Sequence, residues 1–327
     1  MLKIDKIELP DFPLLLAPME DVSDPPFRRL CKMHGADLMY SEFISSEGLI
    51  RDAIKSRKKL DIFDYERPVG IQIFGGDEEA MAMSAKIVET VQPDLVDINF
   101  GCPVKKVVSK GAGAGVLKDI DLMVKLTKAV VNSTELPVTV KTRLGWDTES
   151  INIEEVAERL QGVGIKALTI HARTRTQMYK GKADWEYISK VKNNPNIEIP
   201  IFGNGDIDSP ETALEYREKY NIDGMMIGRG AIGYPWIFNE IKHFFQTGEK
   251  LPPPTIKDRL EAVRQHAEWS AEWKGERAGL IEMRQHYSNY FRGIPHFKEY
   301  RTKFLQVLTM QEMESVLEEI YTQLDKE

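Results

Sequence analysis

Short apolar runs alternate with amphipathic segments along most of the chain. The apolar runs end at glycine, proline or polar residues, which is typical of buried strands. Strand and helix alternate about eight times with short connections, which predicts a (β/α)8 TIM barrel. The predicted strands cover residues 12–18, 38–43, 69–74, 95–99, 137–141, 167–171, 199–204 and 224–228. The predicted helices cover residues 27–34, 78–91, 121–131, 153–160, 185–191 and 236–245, with one more that begins at Ser209-Pro210-Glu211.

The alternative architecture is a doubly wound open sheet. Such a sheet carries a glycine-rich phosphate fingerprint directly after its first strand. Here the first predicted strand runs into Ala17-Pro18-Met19 instead. The barrel is therefore the favoured fold.

The pattern changes after residue 247. Residues 248–254 include Pro252-Pro253-Pro254, which favour a stiff, extended connector. Beyond them no strand pattern appears, while apolar residues such as Leu260, Val263 and Ala267 recur at helical spacing. We predict a barrel domain at 1–247, a linker at 248–254 and a smaller all-helical domain at 255–327.

Composition narrows the function classes. With 327 residues and 42% hydrophobic content the chain can bury a large core, and its net charge of −7 argues against a generally basic nucleic-acid coat. Any polyanion must therefore be bound locally. The cysteines Cys31 and Cys102 are too few for a disulfide framework or a cysteine metal site, and no metal is indicated. Residues 1–10 contain no run typical of a signal peptide and no segment is long enough to span a bilayer, so the reducing cytoplasm is the expected location.

Polar side chains collect where the predicted strands end. In a (β/α)8 barrel the carboxyl ends of all strands meet on the face that carries the chemistry. Taken singly, Gln72 could cap a strand, Lys141 could be an edge lysine, and His171 could be a satisfied core histidine. Their shared position in successive strands favours one common site. The residues concerned are Met19, Glu42, Gln72, Asn99, Cys102, Lys141, Arg143, His171, Arg173, Asn204 and Arg229.

Two loops are suited to phosphate. Gly203-Asn204-Gly205-Asp206 and Gly228-Arg229-Gly230 follow the last two predicted strands, where barrels of this kind commonly bind phosphate. Small residues let backbone N–H groups approach a ligand closely, and Arg229 adds a permanent cation. The alternative is a pair of ordinary tight turns. Together the loops predict a phosphate-bearing cofactor.

The segment Asn99-Phe100-Gly101-Cys102-Pro103 places a thiol at the mouth of a strand. The alternative is that Cys102 is a small apolar filler. A thiol with a reference pKa of about 8.5 is mostly protonated at neutral pH and can act as a general acid. No neighbouring base is evident in the sequence, so proton donation is favoured over nucleophilic attack. Lys141 would stabilise negative charge on a bound ring, such as that of reduced flavin.

These segments resemble the tRNA-dihydrouridine synthase family over nearly the whole chain. In combination the motifs are highly specific. They are Ala17-Pro18-Met19, Pro26-Phe27-Arg28, Gln72-Ile73-Phe74-Gly75, the Asn99 to Pro103 segment with Lys105-Lys106, Val140-Lys141-Thr142-Arg143, His171-Ala172-Arg173-Thr174-Arg175, Gly203-Asn204-Gly205-Asp206-Ile207 and Ile227-Gly228-Arg229-Gly230.

The resemblance implies an FMN-containing barrel that uses NADPH to reduce the C5=C6 bond of uridines in tRNA. It implies that hydride passes from flavin N5 to uracil C6, that Cys102 protonates C5 and that Asn99 holds the uracil. The cofactor-binding residues that it implies are Ala17, Pro18, Met19, Gln72, Lys141, His171, Asn204, Gly205, Asp206, Gly228 and Arg229. The alternatives are an FMN-dependent dehydrogenase of a free pyrimidine, of the dihydroorotate or dihydropyrimidine type, and a non-catalytic RNA-binding barrel.

A tRNA partner requires local cations and favours exposed aromatic rings. The candidate substrate-binding residues are Arg143, Arg173, Lys105, Lys106, Arg292 and Arg301. In the helical tail such cations alternate with rings that could stack on RNA, namely His286, Tyr287, Tyr290, Phe291, His296 and Tyr300. The alternative is a solvated helix face over an ordinary aromatic core.

Overall fold

Eight parallel strands close into a barrel in the computed structural model, which describes residues 1–294 and 297–324, the last without its side chain. The strands are β1 Leu2–Ile4, β2 Ile7–Leu9, β3 Leu14–Leu16, β4 Met39–Tyr40, β5 Ile44–Ser45, β6 Val69–Phe74, β7 Leu95–Asn99, β8 Val138–Arg143, β9 Ala167–His171, β10 Ile201–Asn204 and β11 Gly224–Ile227. Strands β3, β4 and β6 to β11 form the barrel. It closes where the Leu16 N–H donates to the Leu38 carbonyl oxygen at 2.9 Å. The predicted (β/α)8 barrel is confirmed.

Helices cover the outside of the barrel and form the remainder of the chain. The first starts as predicted, since Asp24 Oδ1 accepts the Phe27 N–H at 3.1 Å and prolines occupy its first positions. The helices around the barrel are α1 Pro25–Met33, α2 Ser46–Ile50, α3 Ile54–Lys58, α4 Glu78–Glu89, α5 Lys105–Val108, α6 Ile120–Val131, α7 Ile153–Gly162, α8 Glu186–Lys192, α9 Pro210–Tyr220 and α10 Ile237–Thr247. They are followed by α11 Ile256–Lys274, α12 Glu276–Glu282, α13 Arg284–Tyr290, α14 Phe297–Phe304 and α15 Met310–Leu324. Short 3₁₀ turns lie at Asp64–Glu66, Gly113–Lys118 and Arg229–Ala231.

Two local features differ from the sequence prediction. Of the predicted strand 38–43 only Met39–Tyr40 is strand (β4), and the short β5 follows at Ile44–Ser45. At the break the Ser41 hydroxyl accepts the Gln72 N–H at 3.1 Å, where a backbone carbonyl would continue the ladder. The antiparallel hairpin of β1 and β2 lies outside the predicted elements. Its buried Ile4 and Leu9 join the apolar cluster inside the barrel and close the end opposite the site.

The alternation of side chains along the strands separates core from site. Outward residues such as Val96 and Ile98 of β7 are fully buried against the helices. The inward residues are apolar near the start of the strands, as with Leu95 of β7, and polar further along, where the register sets Gln72, Asp97 and Thr139 side by side across β6, β7 and β8. The barrel interior thus has a polar layer beneath the carboxyl ends of the strands and an apolar layer at the opposite end.

The helices after residue 255 enclose a second apolar cluster, which Leu30 of α1 joins. The Phe27 ring of α1 lies 5.6 Å from the ring of His266 in α11, so this cluster is packed directly on the barrel. Residues 248–254 form neither helix nor strand. The domain boundaries at 247 and 255 stay a prediction.

Within the described ranges, no helix combines the length and the apolar character needed to cross a bilayer.

Candidate active site

A cavity of about 630 Å³ opens at the carboxyl ends of the barrel strands. It brings together most of the residues that the sequence predicts for one site. These lining residues are Ala17, Pro18, Met19, Asn99, Cys102, Lys141, Arg143, His171, Asn204, Gly205, Asp206, Gly228, Arg229 and Arg292. Gln72 and Arg173 are buried and do not line it, while Lys105, Lys106 and Arg301 are exposed on α5 and α14.

The loop that carries Cys102 is fixed from two sides. Asn99 Oδ1 accepts the backbone N–H groups of Gly101 at 2.9 Å and of Cys102 at 2.8 Å. From the other side, Arg143 Nε donates to the Gly101 carbonyl oxygen at 2.7 Å. Cys102 is 7% exposed, and burial raises the pKa of its thiol. The cavity therefore presents a protonated thiol on a rigid loop.

Hydrogen bonds continue from this loop into the barrel interior. Asn99 Nδ2 donates to Gln72 Oε1 at 2.8 Å, and Gln72 Nε2 donates to Asp97 Oδ2 at 2.6 Å. The second Asp97 oxygen accepts the Thr139 hydroxyl at 2.5 Å. Burial raises the pKa of Asp97 to about 6. Sequence reasoning missed Asp97 and Thr139, although an acidic residue within the apolar run 95–99 is a signal of a buried polar interaction.

Lys141 and His171 give the cavity one positive charge and one neutral ring. Desolvation within the cavity, together with the charge of Arg143, lowers the pKa of Lys141 to about 8. Its Nζ donates to Asn204 Oδ1 at 3.2 Å. Burial and the neighbouring cations hold the pKa of His171 well below its usual value. At neutral pH the lysine is charged and the imidazole is neutral.

The amino-acid sequence of the chain matches a known protein family. The family model described as dihydrouridine synthase (Dus) matches residues 15–325. The chain belongs to the dihydrouridine synthase family. A probable tRNA-dihydrouridine synthase of Rickettsia bellii is 40% identical over 302 residues, which are 92% of this chain and 92% of that protein. The tRNA-dihydrouridine synthase B of Pseudomonas aeruginosa is 39% identical over 291 residues, 89% of this chain and 87% of that protein. The prediction that the chain is an enzyme of this family is confirmed.

Solved structures support the fold of this dihydrouridine synthase family member. A structure of a morphinone reductase variant in complex with tetrahydroNAD superposes with a TM-score of 0.55 at 12% identity, covering 79% of this chain and 92% of that one. A 2-naphthoyl-CoA reductase gives a TM-score of 0.56 at 12% identity over 70% of this chain and 50% of that one. At such identities the likeness concerns the barrel alone.

Asp206 organises the loop after β10 in this family member. Its Oδ2 accepts Arg173 Nη2 at 2.6 Å and the Ala183 N–H at 2.8 Å. Arg229 Nη2 donates to its Oδ1 at 3.3 Å. Arg173 is 2% exposed and does not line the cavity, and its contact with substrate stays a prediction.

The aromatic rings of the tail are buried, and the prediction that they can stack on RNA is wrong for those that the structure describes. Helical spacing turns them toward the apolar cluster; for instance, Tyr287 lies 4.7 Å from Phe304 between ring centroids. The buried rings are His286, Tyr287, Tyr290, Phe291 and Tyr300, whereas His296 lies outside the described residues. Arg292 and Arg301, cations of the same segments, are exposed.

Three carboxylates lie close together beside the cavity. Oxygen atoms of Glu20, Asp21 and Glu42 are within 4.8 Å of one another. Lys59 Nζ lies 2.6 Å from Glu20 Oε1 and 3.6 Å from Glu42 Oε1. The Lys59 ammonium group therefore forms ion pairs with two of the three carboxylates, those of Glu20 and Glu42.

Proposed function

We propose that this enzyme reduces the C5=C6 bond of specific uridines in tRNA, with FMN as its cofactor and NADPH as the reductant of the flavin. The observation that carries the proposal is the protonated Cys102 thiol on a fixed loop, in one cavity with Lys141 and the two glycine loops. The names of the similar Rickettsia and Pseudomonas proteins give tRNA as the substrate class. We expect the reaction in the cytoplasm.

The cavity has the size and chemistry for FMN. Its volume of about 630 Å³ lies in the range of cofactor sites. A side chain at Gly228 would come into van der Waals contact with Ala17 Cβ at 3.5 Å and Met19 Sδ at 3.6 Å. Glycine leaves that space in the cavity wall free. Arg229 supplies a cation beside it. We propose that Ala17, Pro18, Met19, Lys141 and His171 surround the ring system and that Asn204, Gly205, Asp206, Gly228 and Arg229 form the phosphate end. Gln72 supports this wall from beneath.

FMN, when bound, would supply the hydride for uracil C6. The protein's own contribution is a proton for C5 from Cys102 Sγ. The charges of Arg143 and Lys141 oppose the rise in the pKa of this thiol, and they would stabilise the thiolate left after donation. Asn99 Nδ2 donates one of its two N–H groups to Gln72. The other makes no hydrogen bond within the described residues, and we propose that it contacts the uracil.

The target base must leave its stack to enter the cavity. Exposed cations around the entrance would hold the displaced RNA backbone: Lys105 and Lys106 follow the Cys102 loop, and Arg292 lines the cavity itself. Because phosphate contacts act locally, the overall charge of −7 is compatible with tRNA binding.

Single-turnover reduction tests the function. The flavin of the purified enzyme is reduced anaerobically with NADPH and its reoxidation is followed after addition of unmodified tRNA, free orotate or free uracil. We expect rapid reoxidation by tRNA alone, with dihydrouridine formed in it. Reoxidation by a free base alone would instead establish a pyrimidine dehydrogenase, and absence of bound flavin would contradict the cofactor assignment.

Arg292→Glu is expected to weaken tRNA binding. One lost phosphate contact lowers the magnitude of the slope of log affinity against log salt by about one. The measurement is a binding titration at several salt concentrations, and Arg301→Glu is tested in parallel. Lys125→Glu provides the matched control, since this exposed lysine lies on α6 at the outer surface of the barrel. An equal loss in the control would remove the proposed contact.

A further inference from the structure

Four polar side chains form a continuous line from the barrel interior to the Cys102 loop. Thr139 and Gln72 both donate to Asp97, at 2.5 Å and 2.6 Å. Gln72 in turn accepts from Asn99 at 2.8 Å, and Asn99 accepts the N–H groups of Gly101 and Cys102. Gln72 is 0% exposed and Asp97 is 1% exposed, so bulk water does not compete for these bonds.

The two ends of this line have fixed hydrogen-bond polarity. At the upper end, backbone N–H groups can only donate, so the Asn99 amide must turn its oxygen toward the loop. At the lower end, an ionised carboxylate can only accept, so the Gln72 amide must turn its nitrogen toward Asp97. Between them, Asn99 Nδ2 meets Gln72 Oε1, and every donor faces an acceptor.

We propose that Asp97 is a positioning residue whose carboxylate sets the orientation of the Gln72 and Asn99 amides and thereby fixes the Cys102 loop. Reversal of Gln72 would turn its nitrogen toward Asn99 Nδ2. Reversal of Asn99 would then turn that nitrogen toward two backbone N–H groups. The carboxylate in the barrel interior and the N–H groups of the Cys102 loop thus require the same orientation of both amides. The part of this inference that concerns catalysis rests on the proposed function of Cys102.

Moving the carboxylate along the line tests the inference. Asp97→Asn replaces a group that can only accept by an amide that can present either its oxygen or its nitrogen to Gln72 Nε2, so the orientation of Gln72 is no longer imposed. Gln72→Glu alone puts two carboxylates together. In the double variant Asp97→Asn with Gln72→Glu, the new amide can donate to Glu at position 72, which can also accept from Asn99. The pattern of donors and acceptors at the loop is then restored, and both side chains keep their original size.

The first measurement needs neither flavin nor tRNA. We compare hydrogen exchange across residues 99–103 and the rate of Cys102 alkylation by iodoacetamide; Cys31 is fully buried. Both single variants should exchange and alkylate faster than the original chain, and the double variant should return toward it. Thr139→Val is the matched control, because it removes a donor to Asp97 without reversing an amide. It should change both rates less than Asp97→Asn does.

The second measurement is single-turnover reduction of tRNA. Asp97→Asn should lower the rate by about 100-fold, since small misplacements of a reacting group have effects of this order, and the double variant should recover most of it. A folded double variant that remains as impaired as the single ones in exchange and alkylation would overturn the inference. If Asp97→Asn does not fold, the comparison of Gln72→Glu with the double variant gives the same decision. If the original chain fails to reduce tRNA, the proposed function is wrong. Hydrogen exchange and alkylation still test whether Asp97 positions the Cys102 loop.

Discussion

Replacing Cys102 with alanine is expected to lower the rate of tRNA reduction by about 10² to 10⁴-fold, the usual contribution of a positioned general acid. The loss should appear when the reduced enzyme is mixed with tRNA. Flavin content and the rate at which NADPH reduces the flavin should stay unchanged, because the variant removes a proton donor and leaves Lys141 and the glycine loops in place. Stopped-flow absorbance measures both half-reactions separately.

Cys31→Ala is the control for this prediction. Cys31 is fully buried in α1, where burial raises the pKa of its thiol well above the usual value, and it does not line the cavity. Its loss should affect packing without slowing tRNA reduction. Full tRNA reduction by Cys102→Ala would contradict the general-acid assignment. A loss of flavin from that variant would instead indicate that Cys102 helps to shape the cofactor site.

The barrel was predictable because its signals are local. Apolar runs with short connections specify strands that pair with their sequence neighbours, and the carboxyl ends of parallel strands then meet on one face. That rule alone brings Cys102, Lys141 and His171 into one cavity. The early end of the second barrel strand at Tyr40 depends on a side chain, since the Ser41 hydroxyl replaces a backbone acceptor for the Gln72 N–H, and residue patterns do not show such exchanges.

The contacts of individual site residues were not predictable from the sequence, and the reason is physical. Residue type and position indicate which end of a strand a side chain occupies, but not which partner takes its hydrogen bonds. Arg173 donates to Asp206 and to a backbone carbonyl, and Gln72 lies between Asp97 and Asn99; none of these partners is evident from the sequence. The tail shows the same limit, because cations and rings alternate along the sequence while the helices separate them into an exposed face and a buried one.

Lys141→Met is expected to weaken flavin binding and slow flavin reduction, each by about 10- to 100-fold, which corresponds to the loss of one hydrogen bond to a charged group. Methionine is unbranched and apolar, so it can fill the space of the lysine stem without its charge. Flavin affinity of the apoprotein is measured by fluorescence titration and flavin reduction by anaerobic mixing with NADPH. Lys125→Met, a change of the same kind at an exposed position on α6, should leave both unchanged.

The pH dependence separates the charge of Lys141 from its packing. Because desolvation lowers its pKa to about 8, the ammonium form predominates below that pH and is lost above it. Flavin affinity of the original apoprotein should therefore fall as the pH rises through about 8, and the Lys141→Met variant should lack this step. A lowered lysine pKa also means that the charge opposes folding below that pH, so the variant should be at least as stable to urea at neutral pH. A variant that is equally stable and still binds and reduces flavin normally would exclude the proposed role of Lys141.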